Sequence, residues 1–273
     1  MDSHAPPSGC VMISASARIA DNSVIEPGVI IGARVSIGPF CFISAGVEIG
    51  EGTTIASHTV INGLTRIGRD NVIGQFSSIG EASQDLKYAG EPTTLTIGDR
   101  NRIGKYATLH RGTLQGCQRT VIGHDNDLRD NVHVAHDCII GDGAYLGDHS
   151  GLAGHVELGD AVWVGVRCAV HQFCIIGAHA RLADATLLVQ DLPPFVQAGG
   201  HRAKPDGLNL AASAFLAADP QQQRVIHSLY DMLYHRAMPL EEVRQEVTHL
   251  SVEYPLLSLF LDFFTRSTRG IIR

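Results

Sequence analysis

The stretch HVAHDC, residues 133–138, carries two histidines three positions apart with an aspartate directly after the second. Neutral imidazoles suit two kinds of chemistry. They can converge on zinc, or one can take a proton from a hydroxyl near neutral pH as a general base. His133 and His136 are the candidates. Asp137 could orient His136 or support its charge, although adjacent side chains on a strand normally point apart. Which chemistry applies depends on the elements that hold these residues, and on how His155 and His171 stand relative to them.

Every sixth residue from Ile13 to Ile79 is isoleucine. The fourth residue after each is small or medium-sized, as at Val29, Val35, Cys41, Val47 and Thr53. After an interruption Ile97, Ile103 and Leu109 continue the pattern, and after a second the count runs in shifted phase from Ile122 to Leu188. A period of six is neither an amphipathic helix nor a plain strand. It is the mark of a parallel β-helix built from hexapeptides, about three to a coil and roughly nine coils in all. The aliphatic and the small residue both point inward, and the glycine that often follows the isoleucine is expected to ease the corner by adopting positive φ. Cys41, Cys138, Cys168 and Cys174 fall on the small inward position and read as buried, inert thiols.

In such a coil stack, residues about 18 apart lie above one another. His136, His155 and His171 therefore line one side of three consecutive coils, with His133 just before them. A backbone N–H on a neighbouring coil, as at Gly154, could stabilise an oxyanion.

The repeat breaks at 81–96 and 111–120, where function is expected because loops carry it. It ends near DLPPFVQAGG, 191–200, a boundary marked by prolines and glycines. Residues 1–194 thus read as the β-helix and 195–273 as a small α-helical domain. Apolar residues at helical spacing fill 225–236, and Pro239 and Pro255 suit first helical turns. The helices are expected to cap the open end of the coils.

Several function classes fall away. The formal net charge is −7 with no basic tract, so nucleic acid is not an expected partner. No apolar run of about 18 residues suggests a membrane span, and the opening MDSHAPPSGC lacks the features of a signal peptide. Six cysteines without a CxxC pair fit a cytoplasmic protein with free thiols.

HVAHDC, LAGHVELGD, AVHQFCIIGAH, SQDLKYAGEPT, LHRGT and FFTRSTRGIIR together resemble the UDP-N-acetylglucosamine acyltransferases, which open lipid A biosynthesis. The resemblance covers nearly the whole chain. It implies a left-handed β-helix and a homotrimer with active sites between adjacent prisms. It also implies transfer of a 3-hydroxyacyl chain from acyl carrier protein to the sugar's 3-hydroxyl. His136 would be the general base, Asp137 its support and Gly154 the oxyanion donor. Gln84, Asp85 and Lys87 would bind the sugar nucleotide. His133, His155, His171 and Gln172 would line the cleft, and Asn209 would lie toward the nucleotide. No metal or cofactor is implied, since the thioester supplies the activated acyl group.

Four places depart from the family pattern. LAASAFLAA, 210–218, replaces a charged stretch with a basic pair, for which Arg202 and Lys204 could substitute. Asp184 replaces a small or apolar residue near the acyl end. Asp148 and His149 stand where an asparagine pair is usual, and Arg129 where an apolar residue is. Two alternatives follow: a paralogue using another sugar nucleotide or acyl donor, or a catalytically silent trimeric scaffold.

Overall fold

A computed structural model of the chain describes residues 12–273; the opening stretch read for a signal peptide lies outside the described residues. The chain divides into two compact units, one ending at Ile139 and one running from Ile140 to Arg273.

In the first unit most hexapeptides give a two-residue strand and a corner, and the strands beside the interruptions, such as Leu64–Ile67 and Thr94–Ile97, run to four residues. Successive strands build three parallel sheets, with the inward isoleucines in register. On one sheet Ile31 pairs with Ile49, Ile49 with Ile67, Ile67 with Ile97 and Ile97 with Ile122. Those steps span 18, 18, 30 and 25 residues by their numbers. The two long steps hold the two interruptions, which leave the ladder and rejoin it in register. From Ile31 onward the inward isoleucines are buried, Ile43, Ile61, Ile73 and Ile79 completely. β-Branched side chains suit this pleated, closely packed interior.

The corners work differently from the expectation. At most corners the glycine after the isoleucine is needed for room, not for φ, although Gly80 after Ile79 does take φ 74°. A Cβ on Gly32 would sit 2.8 Å from Glu51 N, and one on Gly38 2.8 Å from Ser57 N. The positive φ falls two positions later and mostly on other residues, among them Arg34, Phe40, His58, Phe76 and Tyr106. That turn aims the corner N–H at the previous coil: His58 donates to Pro39 O at 3.0 Å and Tyr106 to Gln75 O at 3.0 Å. At one corner the rings of Phe40, His58, Phe76 and Tyr106 stack in a column, with centroids 4.9, 4.8 and 5.2 Å apart.

The small inward position carries a polar ladder. Asn71 Oδ1 accepts from Asn101 N at 2.9 Å and from Asn101 Nδ2 at 3.0 Å. Asn101 Oδ1 accepts the same pair of bonds from Asn126, at 3.0 and 2.9 Å. All three are buried, and such amide ladders satisfy polar groups that burial would otherwise leave costly.

The second unit has coils of the same construction, as in the pairing of Leu146 with Val164 and Leu152 with Val170. Cys168 and Cys174 are buried inward, as Cys41 and Cys138 are in the first unit. Burial pushes these thiols up for Cys41, Cys168 and Cys174, the last to about 12. Strands persist beyond 195: Val196–Gly199 and Lys204–Leu208 form an antiparallel hairpin on the last coil. Helices follow: α1 (Ser213–Ala217), α2 (Pro220–Tyr230), α3 (Leu240–Leu250) and α4 (Ser258–Arg266). Asp219 caps α2, accepting from Gln221 N and Gln222 N, with Pro220 at the first helical position. The helices bury Phe260, Phe263, Val243 and Leu233 against the outward-facing Ile175 and the corner Phe195. They thus cover the side of the last coils, while the hairpin and the pairing of Asp191 with Ile271 occupy strand edges. No helix among the described residues is long and apolar enough to cross a membrane.

Replacing Asn101 with Ala should cost about 3 kcal/mol, because it takes the acceptor from Asn126 N and Nδ2 and the donor from Gly123 O inside the coil. Urea unfolding of the purified protein checks this; a loss under about 1 kcal/mol would mean the backbone ladder alone secures the stack.

Candidate functional site

His136 and Asp137 stand at a corner of the first unit, just after the strand His133–Val134. Asp137 is the corner residue with positive φ, 59°. Strand alternation therefore does not apply to the pair, and the expected divergence of neighbouring side chains is absent. His136 Nδ1 donates to Asp137 Oδ2 at 2.9 Å. A carboxylate only accepts, so Nδ1 carries a proton, and in the neutral imidazole this tautomer leaves the lone pair on Nε2.

The second interruption builds the cradle for that carboxylate. Thr113 N lies 3.0 Å from both carboxylate oxygens, and Thr113 Oγ1 donates to Oδ2 at 2.6 Å. Asp137 N donates to Thr120 Oγ1 at 2.9 Å. Gly116 lies against the carboxylate so closely that a Cβ there would overlap it. The Asp137 side chain is fully buried, while His136 keeps 14 % of its side chain exposed. Cys117 Sγ approaches Oδ1 at 3.7 Å; although the residue is exposed, partial desolvation first, and then the Asp137 charge, pushes that thiol up.

His133 sits one turn back. Its Nδ1 is 2.8 Å from Thr108 Oγ1, and its ring meets that of His110 edge-on at 5.3 Å. Burial, and secondarily the nearness of His110, lowers the His133 pKa. The sequence reading missed His110 and Thr113. Both lie within LHRGT, noted only as a motif, and neither shows its orientation in a one-dimensional pattern.

The first interruption is a loop whose Gln84 and Lys87 are exposed and whose Asp85 is half-buried. Asp85 Oδ1 accepts from Lys87 N at 2.9 Å, which fixes the turn that presents the lysine. Tyr88 is a strut: its hydroxyl donates to Glu91 O at 2.8 Å and accepts from Arg111 Nη2 at 3.2 Å.

In the second unit Gly154 is buried and its carbonyl accepts from Phe173 N at 3.1 Å. His155 stacks on Phe173, centroids 4.4 Å apart and planes 8° from parallel. His171 and Gln172 are exposed, with His171 Nδ1 donating to Gln172 O at 3.2 Å. Asn209 is nearly buried, and its Nδ2 donates to His179 O at 2.8 Å. His179, another residue the sequence reading missed, stacks on Phe195 and is lowered in pKa by burial.

Two departures have structural accounts. Asp184 is exposed, not buried, and its Oδ1 accepts from Val166 N at 2.9 Å. Asp160 does the same for Asp142 N at 2.8 Å, so Asp184 is a recurrent corner cap. The uncharged 210–218 stretch forms α1, anchored by buried Phe215 and leaving Leu210 and Leu216 exposed.

Parallel coils of hexapeptides, with a histidine backed by a cradled carboxylate at one corner, define a β-helix protein of the hexapeptide class. Residues 191–272 match the family profile described as Udp N-acetylglucosamine O-acyltransferase; Domain 2, and residues 7–140 the GMPPB C-terminal domain. The solved UDP-N-acetylglucosamine O-acyltransferase of Moraxella catarrhalis is 38 % identical, with 96 % of this chain and 98 % of that one covered, at a TM-score of 0.84. LpxA of Acinetobacter baumannii is 37 % identical over 96 % of this chain and 100 % of that one, at a TM-score of 0.86. The Francisella novicida UDP-N-acetylglucosamine acyltransferase is 34 % identical over 96 % and 92 %, at 0.85. The chain belongs to the UDP-N-acetylglucosamine acyltransferase family, and its coils are left-handed.

The lowered pKa of His133 sets a sign for stability. As pH falls past 6.5, the ordinary histidine value, the unfolded imidazole protonates before the folded one. Stability is therefore complete above that pH and is lost as pH drops toward the lower folded value. Urea midpoints should fall on acidification from about pH 7.5 to about 5.5, and fall less in His133→Asn. Equal slopes in the two proteins would count against this account.

Proposed function

We propose that the protein moves a 3-hydroxyacyl chain from acyl carrier protein to the 3-hydroxyl of UDP-N-acetylglucosamine, the first step of lipid A biosynthesis. It does so as a cytoplasmic homotrimer. The observation that carries this reading is the His136 Nδ1–H bonded to the buried Asp137 carboxylate, in a chain of this family.

His136 Nε2 takes the proton of the sugar hydroxyl as its oxygen attacks the thioester carbonyl. Asp137 supports the imidazolium that forms, and its cradle of Thr113 donors keeps the ring from rotating. The Gly154 N–H stabilises the tetrahedral oxyanion. Collapse breaks the carbon–sulfur bond, and the imidazolium returns its proton to the departing thiolate, giving an ester and a free thiol. The acyl group arrives activated, so the reading calls on no metal or cofactor. Gln84, Asp85 and Lys87 hold the sugar nucleotide; His133, His155, His171 and Gln172 line the cleft. Asn209 keeps a role toward the nucleotide through its side-chain oxygen.

A second reading, transfer from another donor, is favoured by exposed Leu210 and Leu216 on the uncharged 210–218 stretch. Mass spectrometry after incubation of UDP-N-acetylglucosamine with a panel of acyl carrier protein and coenzyme A thioesters separates the two. A long 3-hydroxyacyl product made only from the carrier protein supports the first reading. A short acyl product from coenzyme A supports the second, and no product on any pairing leaves the scaffold alternative.

In the productive pairing, His136→Ala should lower kcat by about a thousandfold with an unchanged unfolding midpoint. Gly116→Ala, which crowds the Asp137 carboxylate, should lower kcat by about tenfold with little change in KM. Full activity in His136→Ala would remove it as the base.

A further inference from the structure

The loop 82–92 leaves its coil at a bulge. The register shifts between Ile79 and Glu81, where the chain pairs with the strand Thr108–His110. Gly80 takes φ 74° there and packs against Thr65 and Asn62 with no space for a Cβ. Within the loop the hydrogen bonds are short-range turns, such as Tyr88 N to Asp85 O at 2.9 Å. Its ties to the coil beneath come from two consecutive residues. His110 Nδ1 donates to Ala82 O at 2.7 Å, at the loop's start. Arg111 N donates to Glu81 O at 3.0 Å, and Arg111 Nη2 reaches Tyr88 OH in the middle of the loop. Tyr88 passes the restraint on to Glu91 O at the loop's far side.

The space for this arrangement is built in. A Cβ on Gly63, which has φ 63°, would overlap the Arg111 guanidinium. Arg111 Nε is buried with no hydrogen-bond partner, and Arg111 forms no ion pair among the described residues. Arg111 is half-buried, and leaving its shielded Nε without an acceptor carries a cost, so its retention needs a reason beyond packing. Holding Tyr88 is the contact its side chain makes. His110 is buried, and its Nδ1 is committed to the loop while its ring meets that of His133 edge-on.

We propose that His110 and Arg111 are positioning residues: they clamp the loop so that Gln84, Asp85 and Lys87 present one fixed geometry to the sugar nucleotide. The proposal rests on the functional reading above for the ligand, but the clamp itself can be read without it. The loop is pre-ordered from beneath by groups that never touch the ligand, which reduces the ordering that binding would otherwise demand.

The test compares wild type, His110→Leu, His110→Asn and Tyr88→Phe as full-length protein. Amide hydrogen exchange of segment 82–92 is read without substrate, and KM and kcat with UDP-N-acetylglucosamine. His110→Leu should speed exchange in the loop and raise KM for the sugar nucleotide about tenfold, with kcat within about twofold. Asn offers an N–H near the place of Nδ1, so His110→Asn should recover exchange and KM to within about threefold of wild type. Tyr88→Phe removes only the hydroxyl strut from a loop position; it should raise KM about threefold and keeps the test alive if His110→Leu does not fold. Unchanged exchange and KM in both His110→Leu and Tyr88→Phe would overturn the clamp. So would a fall in kcat alone, which would make His110 a partner of His133 in the chemistry. A wild type that transfers nothing to the sugar nucleotide removes the functional reading instead, and the exchange data still decide the clamp.

Discussion

The hydrogen bond between one coil's corner and the next is the constraint on which the rest of this structure depends. Short strands of two residues leave most of each hexapeptide outside the ladder, and unpaired backbone groups there would be costly. The chain meets this by turning one corner residue to positive φ, which aims its N–H at the corner carbonyl a coil earlier, as His58 does toward Pro39. For a residue with a Cβ that conformation costs about 1–2 kcal/mol. A net gain of about 1 kcal/mol per hydrogen bond offsets part of it. Contacts between successive corner side chains, such as the column from Phe40 to Tyr106, contribute the remainder. The same close stacking excludes a Cβ at Gly32 and Gly38, so corner and glycine are two results of one spacing.

The His136–Asp137 pair uses that corner. Because Asp137 is the residue turned to positive φ, its carboxylate swings beside His136. Because the chain has an insertion just there, the Asp137 N–H bonds to Thr120 Oγ1. The insertion also supplies Thr113 and the space over Gly116. A structural corner has become a holder for a histidine with one defined tautomer. The first insertion is held in a comparable way from below, through the His110–Arg111 step.

The coils were legible in the sequence because an inward position must repeat: nothing but an aliphatic residue fills the site of Ile31, Ile49 or Ile67. The interruptions were legible as breaks in that count, and both carry proposed site residues or their supports. The orientation of side chains at corners was not legible. Strand alternation argued against a bond between His136 and Asp137, since the sequence does not announce that Asp137 leaves the β region. The glycines were assigned to φ when close approach was their reason. Asp184, out of pattern in the sequence near the acyl end, has a place at an exposed corner under the Val166 N–H. Thr113 and His110 escaped because a residue that supports another has no periodicity of its own.

The asparagine ladder carries a wider consequence. Asn71, Asn101 and Asn126 stand one rung apart, although 30 and 25 residues separate them along the chain. The stack therefore counts rungs and is indifferent to the length of chain between them. Lengthening a loop adds only about 0.6 kcal/mol of closure entropy per doubling. Scaffold and specificity are thereby uncoupled: loops that recognise different sugars or tails can be exchanged on such coils without renegotiating the core.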